Sequence, residues 1–85
     1  MLFPRKALNK LVGDMLQDDN LAVVIDYRTA RTDGRGCWYR ATWLKGGKVV
    51  VRHHFPAREW PDLVSAARLC PFELPHTLTE LLEQA

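Results

Sequence analysis

Apolar residues recur at helical spacing early in the chain. Leu8, Leu11, Val12, Met15 and Leu16 fall at i, i+3, i+4, i+7 and i+8, which puts them on one stripe and predicts a helix over residues 4–18. Pro4 suits a first helical position, where its missing N–H costs nothing. Asn20 suits a left-handed residue that ends the helix. Arg5 and Lys6 lie at the positive end of the helix dipole and Asp18 and Asp19 at its negative end, against the usual preference.

The pattern then changes to period two. Leu21-Ala22-Val23-Val24-Ile25-Asp26-Tyr27-Arg28 is rich in β-branched residues and alternates after an apolar start, which predicts a strand. Thr32-Asp33-Gly34-Arg35-Gly36 is a turn by composition. A second strand is expected from Cys37 to about Leu44 and a third from Lys48 to Phe55. Such short connections force antiparallel neighbours, so the three strands form a meander. Side-chain parity favours a three-residue Lys45-Gly46-Gly47 loop, with Gly47 left-handed. That loop places Cys37, Tyr39, Ala41 and Trp43 on one apolar face with Val49, Val51, His53 and Phe55. Val23, Ile25 and Tyr27 are expected to join this core face. Trp38, Arg40, Thr42, Leu44, Lys48, Val50, Arg52 and His54 then share the opposite face, together with Asp26 and Arg28.

Pro56 and Pro61 are read as the end of the third strand and the start of a helix carrying Trp60, Leu63, Val64 and Ala67 at helical spacing. Cys70-Pro71 closes that helix. After Pro75, Thr77 and Glu80 form a capping-box pattern ahead of Leu78, Leu81 and Leu82, which predicts a last short helix. The element order is therefore αβββαα, an α+β class fold, with residues 1–85 as one domain.

Composition narrows the classes. The chain is 47% hydrophobic and 26% charged, an ordinary globular balance that argues against disorder. The longest apolar run, Leu21 to Ile25, is far short of the ~20 residues a membrane span requires. No signal-peptide core is expected, because Asn9, Lys10 and Asp14 interrupt the apolar positions after Arg5 and Lys6. With Cys37 and Cys70 as the only cysteines, one disulfide at most could form, so free thiols in a reducing cytoplasm are expected.

The net charge of +2 hides a segregation. Residues 1–10 carry +3, residues 11–27 carry −4, residues 28–58 carry +7 and residues 59–85 carry −4. The basic stretch holds Arg28, Arg31, Arg35, Arg40, Lys45, Lys48, Arg52 and Arg58 against Asp33 alone. A meander of that charge would steer an acidic partner toward the sheet.

Catalytic signatures are missing. The cysteines and His53, His54 and His76 show neither C-x₂-C nor H-x₃₋₅-H spacing, so no metal and no cofactor is expected. Cys70, before a proline at a helix end, lacks the setting that activates a thiol. There is no G-x-S-x-G and no phosphate-binding loop, and Gly34-x-Gly36 lies in a hairpin. The expectation is a protein that is not an enzyme.

The layout from Leu8 through Leu69, αβββα, resembles the double-stranded RNA-binding domain, which implies a nucleic-acid-binding module. That family's lysine-rich start of the final helix is replaced here by Pro56-Ala57-Arg58-Glu59-Trp60-Pro61. Trp38 among Arg28, Arg40, Lys48, Arg52 and His54 also offers a stacking surface in a cationic field, as single-strand binders do. In size and layout the chain also resembles small phage-encoded inhibitors of the anti-CRISPR kind, which act by occupying a surface on a host protein complex. Many of those are strongly acidic DNA mimics. The basic stretch from Arg28 to Arg58 implies instead a grip on an acidic protein groove or a bound RNA.

The leading expectation is a binding protein, an inhibitor or accessory factor, that engages a partner with an acidic surface. Its contact residues are expected to be Trp38, Arg40, Arg52 and His54, with Arg28, Arg31, Arg35 and Lys48 around them. Arg and Trp dominate interfaces because they bury large area or bond bidentately. A nucleic-acid module is the alternative. A homodimer is a further expectation, since Leu78, Leu81, Leu82 and Trp60 offer more apolar surface than so small a core is expected to cover.

Overall fold

The structure is a computed structural model and describes residues 3–84. Helix α1 (Arg5–Asp18) leads into strands β1 (Leu21–Ala30), β2 (Cys37–Lys45) and β3 (Lys48–Ala57), then helices α2 (Leu63–Arg68) and α3 (His76–Gln84). The αβββαα order is the one the periodicities predict. The strands form one antiparallel sheet in the order β1-β2-β3, and the three helices pack on one of its faces. The Cα positions extend only 18 Å along the shortest axis, which is two layers of secondary structure and no more.

The core lies between those layers. Leu8, Val12 and Leu16 of α1 meet Tyr39, Ala41 and Trp43 of β2, with Val64 and Ala67 of α2 and Leu78 and Leu82 of α3 closing the cluster. Trp43 is fully buried and packs edge-on against Phe72, 5.3 Å between ring centroids. Gly13 lets α1 and α2 approach, since an added Cβ would stand 3.2 Å from Leu63 Cδ2. The C-terminal leucines expected to be in excess are accommodated: Leu78 and Leu82 are buried and Leu81 is half-buried. Of that group only Trp60 stays open. It precedes α2 rather than riding on it, and packs edge-on against Tyr39 at 5.4 Å.

Asp62 ties the helices together. Its Oδ1 accepts from the Ser65 backbone N–H at 3.0 Å and so caps α2. The same carboxylate accepts from Arg5 Nε at 2.6 Å, Arg5 Nη2 at 3.0 Å and Asn9 Nδ2 at 3.0 Å, all from α1. Asn9 Oδ1 in turn accepts from the Val64 N–H at 2.9 Å. The Arg5 guanidinium, with lesser help from Asn9 and Ser65, holds the Asp62 carboxyl well below the usual carboxylate range. Thus Arg5, unfavourable to its own helix dipole, is recruited by another helix.

Asn20 is left-handed at φ 57°, as expected. The β2–β3 connection differs from the expected one. It is a two-residue Gly46-Gly47 turn with both residues at positive φ, flanked by the pair Lys45↔Lys48. A bulge restores the parity: Trp43 faces Val51 and Leu44 faces Val49, leaving Val50 as the extra residue. The core face of Val51, His53 and Phe55 is as expected, but Val49 falls on the opposite face. A second bulge in β1 pairs Ile25 with Ala41 and Tyr27 with Arg40, leaving Asp26 unpaired in the ladder. That slip moves Tyr27 off the expected core face and puts Arg28, opposite Tyr39, on the helix side.

Pro56 does not end the third strand. It lies within β3, where an edge strand tolerates the missing N–H. Helix α3 begins at His76, so Thr77 lies in its first turn rather than at the cap. Gly36 at φ 110° lies where an added Cβ would meet the Ala57 carbonyl oxygen at 2.5 Å, so the 31–36 loop is pinned against the end of β3 by a residue that must be glycine.

Candidate functional site

The sheet face turned away from the helices is built in cross-strand rows, because antiparallel partners point the same way. From the hairpin end the rows are Ala22–Leu44–Val49, Val24–Thr42–Arg52, Tyr27–Arg40–His54 and Thr29–Trp38–Pro56. Among the described residues no helix or loop packs over them. Val24 is 49% exposed, Tyr27 50%, Trp38 41% and Val49 47%, all on this one face.

A hydrogen-bonded carboxylate occupies the middle. The bulge at Asp26 turns its side chain onto the open face, where Oδ1 accepts from Arg40 Nε at 2.8 Å and Oδ2 from the Thr42 hydroxyl at 2.8 Å. These bonds, Arg40 first, lower the Asp26 carboxyl from its ordinary range. Thr42 is thereby buried although it faces outward. The Arg40 guanidinium also stands over the Tyr27 ring, 5.6 Å from its centroid, so Tyr27 and Asp26 fix Arg40 from two sides. At the far end Arg31 repeats the arrangement. Its guanidinium lies 5.5 Å from the Trp38 centroid and bonds Asp33 through Nε at 3.1 Å and Nη2 at 2.5 Å. Arg31, followed by the Arg35 backbone N–H, lowers the Asp33 carboxyl.

The expected contact residues divide accordingly. Trp38, Arg40, Arg52 and His54 do come together on the open face, and Arg31 joins them over Trp38. Arg35 lies beside them in the 31–36 loop. Arg28 and Lys48 do not belong: Arg28 pairs with Tyr39 and Lys48 with Lys45, both on the helix side. Val50 also leaves the expected face and lines a helix-side groove with Leu21, Lys45, Phe72 and Leu74. With Asp26 and Asp33 neutralising Arg40 and Arg31, the face is amphipathic rather than uniformly basic. Arg52 is its one cation without a carboxylate partner among the described residues.

Tyr27 was out of reach of strand alternation, because only the bulge at Asp26 brings it to this face. On the other side of the sheet, His53 occupies the core face as expected, but its Nε2 is buried with no hydrogen-bond partner among the described residues. Burial, and then the neighbouring His54, push the His53 pKa down, so the neutral ring is favoured. Both cysteines are free thiols, and burial pushes the Cys70 thiol up, away from the reactive thiolate. Among the described residues no three His, Cys, Asp or Glu side chains converge as metal ligands would, and no helix is long and apolar enough to cross a membrane. Comparison of the chain with protein-family models, curated proteins and solved structures gives no match.

Proposed function

We propose that this protein is a non-catalytic binding module that engages a partner protein through the open face of its sheet, as an inhibitor or accessory factor. The observation that carries this reading is the group of half-exposed Val24, Tyr27, Trp38 and Val49, one in each cross-strand row, on a face that no element among the described residues covers. Tyr, Trp and Arg are the side chains that dominate interface energies, and here each aromatic ring is already paired with an arginine. Such pairs are preorganised, so little side-chain entropy is lost when a partner arrives.

The second ring also brings the nucleic-acid reading into view, since Tyr27 and Trp38 give two stacking surfaces on adjacent strands. Electrostatics favours protein. A phosphodiester laid on this face would find Arg40 and Arg31 already neutralised by Asp26 and Asp33, which leaves little positive charge for a run of phosphates. The start of α2, where the double-stranded RNA-binding resemblance calls for lysines, presents the Asp62 carboxylate.

The test is affinity capture with the immobilised protein beside its Trp38→Ala and Tyr27→Ala variants, together with labelled oligonucleotides titrated across salt. The expected result is a stable protein partner that both variants lose, and no oligonucleotide binding. Retention of that partner by both folded variants overturns the placement. Oligonucleotide affinity that falls steeply with salt establishes the nucleic-acid reading instead.

A further inference from the structure

We infer that the element received by the open face is a single amphipathic α-helix bearing carboxylates along one flank, an inference that rests on the binding role proposed above. A sheet face offers side chains, because strand backbone groups lie in the plane of the sheet, and those free at the outer edges of β1 and β3 point sideways. An occupant must therefore satisfy its own backbone hydrogen bonds, which a helix does internally. The dimensions agree. Three strands about 4.8 Å apart give a face about 14 Å wide, room for one helix of about 10 Å diameter. The span from Ala22 to Thr29 is about 25 Å, the length of roughly 16 helical residues. The opposite face of the same sheet already carries helices, so an added helix supplies the missing outer layer.

Charge fixes the rest. Along β1 the face carries apolar Ala22, Val24 and Tyr27, with the Asp26 carboxylate turned toward Arg40 and Thr42 of β2 and Thr29 at the far end. Along β3 the same face carries Val49, Arg52, His54 and Pro56, and Arg52 supplies its fixed positive charge. The ion pair of Arg40 with Asp26 separates the two lanes and is internally neutral. Arg52 has no carboxylate partner among the described residues. A helix lying along the strands would set its apolar stripe on the β1 lane and its acidic flank on Arg52. A basic flank would leave Arg52 facing like charge.

Two 16-residue peptides test this, with the same leucine stripe and either glutamates or lysines along one flank. Each is titrated at low salt into the isotope-labelled full chain, and backbone amide shifts are followed. The glutamate peptide is expected to shift the Val24, Thr42 and Arg52 rows and to bind at least tenfold tighter than the lysine peptide. Arg52→Glu is expected to reverse that order. Equal affinities, or shifts confined to the helix side, overturn the inference. If they occur while Trp38→Ala still loses its captured partner, the binding role stands and only the helical occupant falls. If capture is unaffected as well, both fall. Sedimentation of the chain alone covers the remaining occupant: a dimer dissociated by Trp38→Ala makes a second copy the ligand and overturns the helix.

Discussion

Asp62 illustrates how one side chain does structural work at two places. It caps α2 and also anchors Arg5 and Asn9 of α1, so its removal loosens a helix end and a helix–helix contact together. Loss of such a cap costs about 0.5–2 kcal/mol, while the half-exposed ion pair with Arg5 adds little because solvent screens it. Asp62→Ala is therefore expected to lower stability by about 1–2 kcal/mol at pH 7, measured by urea denaturation. Because the folded-state pKa lies below the unfolded one, the charge-dependent part is whole above the unfolded value of about 4 and is lost as pH falls below it. The gap between wild type and Asp62→Ala should accordingly be narrower at pH 3 than at pH 7. A gap that widens in acid would rule out the carboxylate as its source. Periodicity gives Asp62 no link to the first helix, because Arg5 and Asn9 lie more than 50 residues away in the chain.

Among the elements, periodicity located all three strands and all three helices, but it did not resolve the bulges. Alternation assigns faces only while the ladder is regular, and a single extra residue reverses the assignment beyond it. Val49-Val50-Val51 conceals such a slip, since three identical apolar residues read the same in any register. Asp26-Tyr27 conceals another, because an aspartate followed by an amphipathic aromatic fits either face. This is why plain alternation puts Tyr27 and Arg28 on each other's sides. The bulge in β3 leads to a definite expectation. Deleting one of the three valines closes the bulge and leaves Val51, His53 and Phe55 facing the core, so the fold is retained. In a bulge-free ladder the same deletion would turn the following residues to the wrong face. Cooperative thermal unfolding with an unchanged circular dichroism spectrum is the expected outcome. Loss of cooperativity would mean that Val50 itself holds the strand.

At the scale of the whole molecule, the two tryptophans of β2 lie on opposite faces and differ in what they hold together. An 85-residue domain is stabilised by about 4–12 kcal/mol. Trp43 is fully buried under the helices, and truncating it to alanine should remove about 3–5 kcal/mol, a large share of that total. Trp38, five residues earlier on the open face, should change stability by only about 0.5 kcal/mol when truncated. Urea denaturation of Trp43→Ala and Trp38→Ala checks the contrast. Comparable losses would mean that the open face is in fact part of the core.

Local pattern alone determined the αβββαα order, the apolar face of β2 and the grouping of Trp38, Arg40, Arg52 and His54, because helical and strand periodicities are short-range properties of the chain. Tertiary structure decided that all three helices cover the same face, that bulges bring Asp26 and Tyr27 onto the other, and that the basic stretch is split between the two sides. Charge summed along the chain gives +7 for residues 28–58, but charge in space depends on which carboxylates fold back. Asp26 and Asp33 fold back onto Arg40 and Arg31, and on the open strands Arg52 is left beside the apolar positions with no carboxylate partner among the described residues.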